Sequence, residues 1–321
     1  MARKLSIDDI RSAAERLKNW GRFGPSDEIG TLNYTRPEDI VVAARLVQKG
    51  KVMSLALPFD SNGPQGAKTN YPPLGRFNPI HLMLRSGADA YSGVLDNRRI
   101  RTADDVVIMP TQCGTQWDAL SHVFYGNEMW NGYDCRNVSS FGAGKCGIEK
   151  TKEKMVGRAV LLDIPRMLEM SDLPDGFAIG NDLLDRAETH FQAPIGRGDF
   201  LLIRTGNMEA KLAAGSWDGY PGGDAPGLAF ETLDWLREKQ VAAVATDTFA
   251  VEVRPNETDD VVSPFHWISI PIMGLTLGEM FYLADLAADC AEDHRYEFMF
   301  VAPTLPITGG VASPTNPLAI K

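Results

Sequence analysis

Apolar positions along the chain switch between a period of about 3.6 and short unbroken runs, and the switches predict the elements. Near the start, Ile7, Ile10, Ala14 and Leu17 fall on one helical stripe behind Ser6, with Asp9 completing a capping pattern. Thr35 and Glu38 repeat that pattern for a second helix, with Pro37 in its first turn and Gly50 beyond its end. Residues 52–57 read as a strand, and residues 58–78, rich in Gly, Pro and Asn, as a long loop suited to covering a site. DVVIM at 105–109 is a short apolar run. RAVLLDI at 158–164 and DFLLIRT at 199–205 are continuous apolar runs suited to buried strands. Residues 180–190 and 228–240 carry helical periodicity, and 241–245 reads as a strand. LGEMFYLADLAA at 277–288 reads as an amphipathic helix and 297–302 as a late strand. Strands interleaved with helices predict an α/β fold. No repeat or linker divides the chain, so the expectation is one domain over 1–321, with residues 1–80 as a loop-rich N-terminal extension.

Composition narrows the function. A formal charge of −10 over 321 residues argues against nucleic acid or an anionic membrane as partner. The start of the sequence carries no apolar run of signal-peptide length, and no run of about 18 apolar residues occurs, so a soluble cytoplasmic protein is expected. Cys113, Cys135, Cys146 and Cys290 lack C-x-x-C spacing and read as reduced, mostly buried thiols. Gly142-Ala143-Gly144-Lys145-Cys146-Gly147 matches G-x-G-x-x-G, but no apolar strand precedes it and a polar, Lys-rich segment follows. It reads as a loop rather than a dinucleotide site.

The chemistry concentrates in Gln112-Cys113-Gly114-Thr115-Gln116-Trp117-Asp118-Ala119-Leu120-Ser121-His122. Gln112, Gln116, Asp118 and His122 are separated by even numbers, so an extended chain would aim all four at one space. Trp117 is either a wall for a planar substrate or a core tryptophan.

This stretch resembles the H-x-G-T-H-x-D-x-P-x-H signature of the cyclase family, which includes bacterial kynurenine formamidases and isatin hydrolases. Arg158–Asp163 is similar to that family's G-R-x-V-L-L-D strand, Gly198–Gly206 to its G-D-x-V-L-L-R-T-G, and Thr246-Asp247-Thr248 to its G-x-D-T. The likeness runs from about Pro110 onward, and the region from Gly24 to Pro64 is similar to the N-terminal part of the longer members. The resemblance implies a swivelling β/β/α domain, a homodimer or homotetramer, and metal-dependent hydrolysis of small amides, cyclic amides or lactones. By position it makes Asp118, His266 and Glu279 metal ligands and His122 the general acid/base.

Two signature histidines are Gln112 and Gln116 here, and the signature proline is Leu120. An amide oxygen suits harder cations better than zinc. Gln112 or Gln116 can thus add an oxygen to a site for one divalent ion, Mn²⁺, Mg²⁺ or Zn²⁺, or grip substrate in a site that holds none. Three readings follow: a metal-activated hydrolase; a metal-independent acid/base enzyme using His122 with Asp118 or Glu279; and a non-catalytic binder of a small molecule.

Overall fold

The computed structural model describes residues 4–68, 75–94 and 99–321. Helix α1 (Ile7–Leu17) starts as its sequence predicts: the Ser6 hydroxyl accepts from the Asp9 N–H and the Asp9 carboxylate from the Ser6 N–H. Helix α2 (Pro37–Ala44) is capped one residue later than predicted. Asp39 accepts from the Arg36 N–H, whereas Thr35 Oγ1 donates to the Gly198 carbonyl.

The chain continues through β1 (Val52–Ser54), β2 (Ile80–Arg85), α3 (Gly87–Tyr91), β3 (Asp104–Ile108), β4 (Gln116–Asp118), β5 (Val138–Ser139) and β6 (Gly142–Ala143). Then come β7 (Val156–Asp163), α4 (Ile164–Met167), β8 (Ala178–Ile179), α5 (Asn181–Phe191), β9 (Phe200–Arg204), α6 (Asn207–Ala214), β10 (Gly227–Leu228), α7 (Thr232–Lys239) and β11 (Ala243–Thr246). Helix α8 (Pro264–Ile268), β12 (Thr276–Glu279), α9 (Ala284–Asp293), β13 (Glu297–Val301), β14 (Ala312–Pro314) and β15 (Leu318–Ile320) complete it.

Nine strands form one sheet in the order β1-β15-β13-β7-β9-β11-β12-β4-β14. The middle is parallel, from β7 through β9 and β11 to β12, and the flanks are antiparallel. Three of the parallel strands, β7, β9 and β11, carry the apolar runs read from the sequence, as burial on both faces requires. The sheet curls: Ala56, just past β1, bridges Phe281, just past β12. A contiguous core joins Ile10 and Leu32 to Trp117, Leu202, Val244 and Phe298, so the N-terminal segment packs into the same core as the sheet. The α/β expectation holds.

One expectation does not. Residues 277–288 are not one helix: Thr276–Glu279 is strand β12, fully buried, and the helix begins at Ala284. The apolar run there, residues 280–283, is the connection between strand and helix, with Met280, Phe281 and Leu283 buried in the core. The short apolar run at 105–109 lies largely in strand β3 (Asp104–Ile108). Strands β2 and β3 form a separate two-stranded ribbon whose Ile80, Leu82, Leu84, Val107 and Ile108 are exposed. The glycine motif at 142–147 is the loop it reads as: Gly142 and Ala143 make two-residue β6, Cys146 turns at φ 55°, and a single turn, Ile148–Thr151, follows. Cys113, Cys146 and Cys290 are buried free thiols and Cys135 is half-buried. No helix among the described residues is long and apolar enough to cross a membrane.

Candidate active site

Strand β4 lies between β12 and β14, and this pairing assembles the site. Gln116 stands opposite Glu279 of β12 and opposite Pro314 of β14. Gln116 and Asp118 share one strand face, as alternation demands, and both are fully buried. Gln116 Nε2 donates to Glu279 Oε2 at 2.9 Å and to Asp118 Oδ1 at 3.3 Å. His266 enters from α8, its Nε2 3.1 Å from Glu279 Oε1. Ligand atoms of Asp118, His266 and Glu279 lie within 4.8 Å of one another.

The extended stretch is shorter than the even spacing suggests. Only Gln116–Asp118 is strand; residues 111–115 form turns before it, and the chain turns again at 119–122, where the His122 N–H donates to the Ala119 carbonyl at 3.0 Å. His122 therefore reaches the site by a turn, with Nε2 4.0 Å from Asp118 Oδ1 and a quarter of its side chain exposed. Gln112 lies on the preceding turn, where its Oε1 accepts from Thr111 Oγ1 at 2.9 Å. Trp117 is not a substrate wall. Strand alternation turns it away from Gln116 and Asp118 into the core, edge-on to Phe281 and Phe300, with Nε1 donating to the Ala302 carbonyl.

The site's electrostatics follow from burial. Desolvation pushes the Asp118 carboxyl up, with His122 opposing the rise and Glu279 adding to it. Burial disfavours charge on His266 as well, but hydrogen bonds to Glu252 and Glu279 outweigh it and raise the imidazole to about 10. Glu252 is a site residue that sequence reasoning missed. Its Oε1 meets His266 Nδ1 at 2.5 Å, and its carboxylate accepts from the N–H groups of Phe265 and His266, the start of α8. Glu252 and His266 lie 14 residues apart across a loop, so no local periodicity links them.

A cavity of about 500 Å³ opens over these groups, with His122, His266 and Glu279 on its surface. Its walls are mainly apolar and include Val123, Phe249 and Trp267. The adjacency of Trp267 to His266 was the one sequence signal for the aromatic wall.

The donor set fits a divalent cation. Two buried oxygens on it, Gln116 Oε1 and Asp118 Oδ2, have no hydrogen-bond partner among the described residues. Each such orphan costs about 1–3 kcal/mol unless something satisfies it. Carboxylate and amide oxygens with one imidazole nitrogen suit Mn²⁺ or Mg²⁺, and His with two carboxylates also suits Zn²⁺.

Residues 53–253 match the family model described as putative cyclase. A solved structure described as a novel cyclase is 39% identical over 96% of this chain and 99% of its own, with a TM-score of 0.86. Isatin hydrolase A from Labrenzia aggregata, solved with benzyl benzoate, is 18% identical over 87% of this chain and 95% of its own, with a TM-score of 0.60. A protein described as a potential metal-dependent hydrolase with cyclase activity is 18% identical over 84% of this chain and 98% of its own, with a TM-score of 0.50. These last two likenesses concern the fold. No curated protein matches the chain.

Proposed function

The chain belongs to the cyclase family, and from that premise we propose a hydrolase that opens an amide, cyclic amide or lactone bond in a small molecule. One observation carries the reading. Three ligand-type side chains converge beside two orphaned buried oxygens, at a cavity that also presents a partly exposed histidine.

Asp118, His266 and Glu279 would hold one divalent ion, with Gln116 Oε1 as a further oxygen. When bound, such an ion supplies Lewis acidity and a water acid enough to yield hydroxide near neutral pH. The chain's own groups do the rest. Glu252 fixes the His266 ring so that Nε2 faces Glu279. The Gln116 amide group spans the two carboxylates and keeps them in register. His122, open to the cavity, takes a proton at its imidazole nitrogen from the attacking water and returns it to the leaving nitrogen or oxygen. The apolar walls exclude competing water and receive the body of the substrate.

A second reading rests on a specific feature: both Glu279 oxygens already have partners in His266 and Gln116. A metal-independent enzyme of the same fold would use that network to position His122 beside Asp118. Elemental analysis of tag-free protein, with melting recorded before and after chelator, separates the two. About one Mn, Zn or Mg per chain, lost in Asp118→Asn and retained in an inactive His122→Ala, is the expected result. Protein without bound metal, whose stability and turnover ignore both chelator and added ions, would hand the site to the second reading.

A further inference from the structure

Two arginines line the cavity although the proposed hydrolytic chemistry requires neither. Arg76 is half-buried on its wall, with the guanidinium carbon 5.7 Å from the centre of the Phe249 ring. Among the described residues no carboxylate forms an ion pair with it, although its charge reaches the site and helps hold the Asp118 carboxyl down. Arg254 is buried, its backbone is fixed by two hydrogen bonds to Ala225, and it lines the same cavity. The same cavity is also lined by Glu279 and His266 of the candidate metal site.

A half-buried guanidinium stacked on an aromatic ring is pre-organised for a planar anion, because its fork matches the two oxygens of a carboxylate. Burial in a largely apolar cavity strengthens that preference, since solvent competes less for the charge. Phe249 and Trp267 supply flat apolar surface beside it. An uncharged substrate would cover this half-buried cation without a direct ion-pair partner, which disfavours its binding.

Resting on the hydrolase reading, we propose that the substrate is an anion: a planar, apolar amide or lactone bearing a carboxylate, received by Arg76 with Arg254 lining the same subsite. The scissile carbonyl then lies toward His122 and Glu279, and the carboxylate toward the arginines.

Calorimetric titration of the full-length protein with 2-acetamidobenzoate and with its neutral counterpart, 2-acetamidobenzamide, tests this directly. The carboxylate should bind about tenfold or more tightly than the amide. Arg76→Met, which keeps an apolar stem over Phe249, should abolish most of that preference, and Arg76→Lys should retain part of it. Equal binding of the two probes by the parent protein overturns the proposal. So does a preference that survives undiminished in Arg76→Met, since the carboxylate would then be held elsewhere, for example at the metal site. Turnover of both probes is measured in parallel. Discrimination in binding without hydrolysis of either would leave the anion subsite standing and count against the hydrolase. Hydrolysis of both at rates unaffected by Arg76→Met would do the reverse.

Discussion

Glu252 shows how much of the site depends on one side chain outside the group of candidate ligands. It ties the first N–H groups of α8 to the imidazole of His266, so the helix start and the ring orientation are set by the same carboxylate. Glu252→Gln keeps the shape but removes the charge that fixes Nδ1. Divalent-ion affinity, measured by titration against a competing chelator, should fall about 10- to 100-fold; an unchanged affinity would mean that the His266 ring is held without it. Gln116 offers the reverse change. Gln116→His replaces a partnerless amide oxygen with an imidazole at the same buried position and should raise zinc affinity in the same titration. At this scale the sequence named Asp118, His122, His266 and Glu279 as candidates from their types and the family spacing, and the fold brings the four side by side. It could not locate Glu252, whose role exists only once a loop brings it to α8. Trp117 illustrates the opposite case. Its position between Gln116 and Asp118 already implies the other face of the strand, and the core is where it lies.

Strand β12 carries Glu279 to the site, and its path depends on Gly278. A Cβ built there would stand 2.6 Å from the Ala245 Cβ and 2.7 Å from the Trp117 ring, so β11, β12 and β4 approach more closely than any side chain would allow. Gly278→Ala should cost about 1–3 kcal/mol through overpacking, read as a lower urea midpoint with unchanged slope. The shift also displaces Glu279, so metal content should fall in the fraction that still folds. A variant of parental stability and metal content would show that the three strands can part without harm. The same element marks where periodicity misled. The buried connection at 280–283 and the apolar face of the helix after it run on from the strand as one helix-like pattern, and hydrophobicity alone does not divide them. Strand β3 shows a different limit: its apolar run carries no mark of burial, and β2 and β3 form a largely exposed ribbon. Apolar content predicted strand, and only the pairing decides whether that strand is covered.

Across the whole molecule, the order of the sheet was the least legible feature, because its decisive neighbours are distant in sequence: β4 pairs with β12 and β14, and β1 with β15. Lys321 fastens one flank of that arrangement. Its side chain is fully buried, and Nζ meets Asp293 at 2.8 Å, Asp289 at 2.9 Å and the Arg295 carbonyl at 2.9 Å. Its own carbonyl accepts from the N–H groups of Lys49 and Lys51, joining the segment before β1 to β15. Burial alone would raise the Asp293 carboxyl, but hydrogen bonds from Lys321, Lys49 and the Arg295 N–H overcome it and lower it to about 2. A carboxylate whose folded pKa lies below its ordinary value of 3.8 stabilises the fold above that value, and the contribution is lost as pH falls through the folded pKa near 2. Lys321→Met removes the central cation and leaves two carboxylates with their other partners only, at a cost of about 2–3 kcal/mol near neutral pH. Between pH 4 and about 2 the parent protein should lose this stability while the variant, already lacking it, loses less, so their unfolding midpoints should converge. Parallel pH profiles would mean that the cluster does not couple its charge to folding, and that the flank is held by the β1–β15–β13 hydrogen bonds and their packing alone.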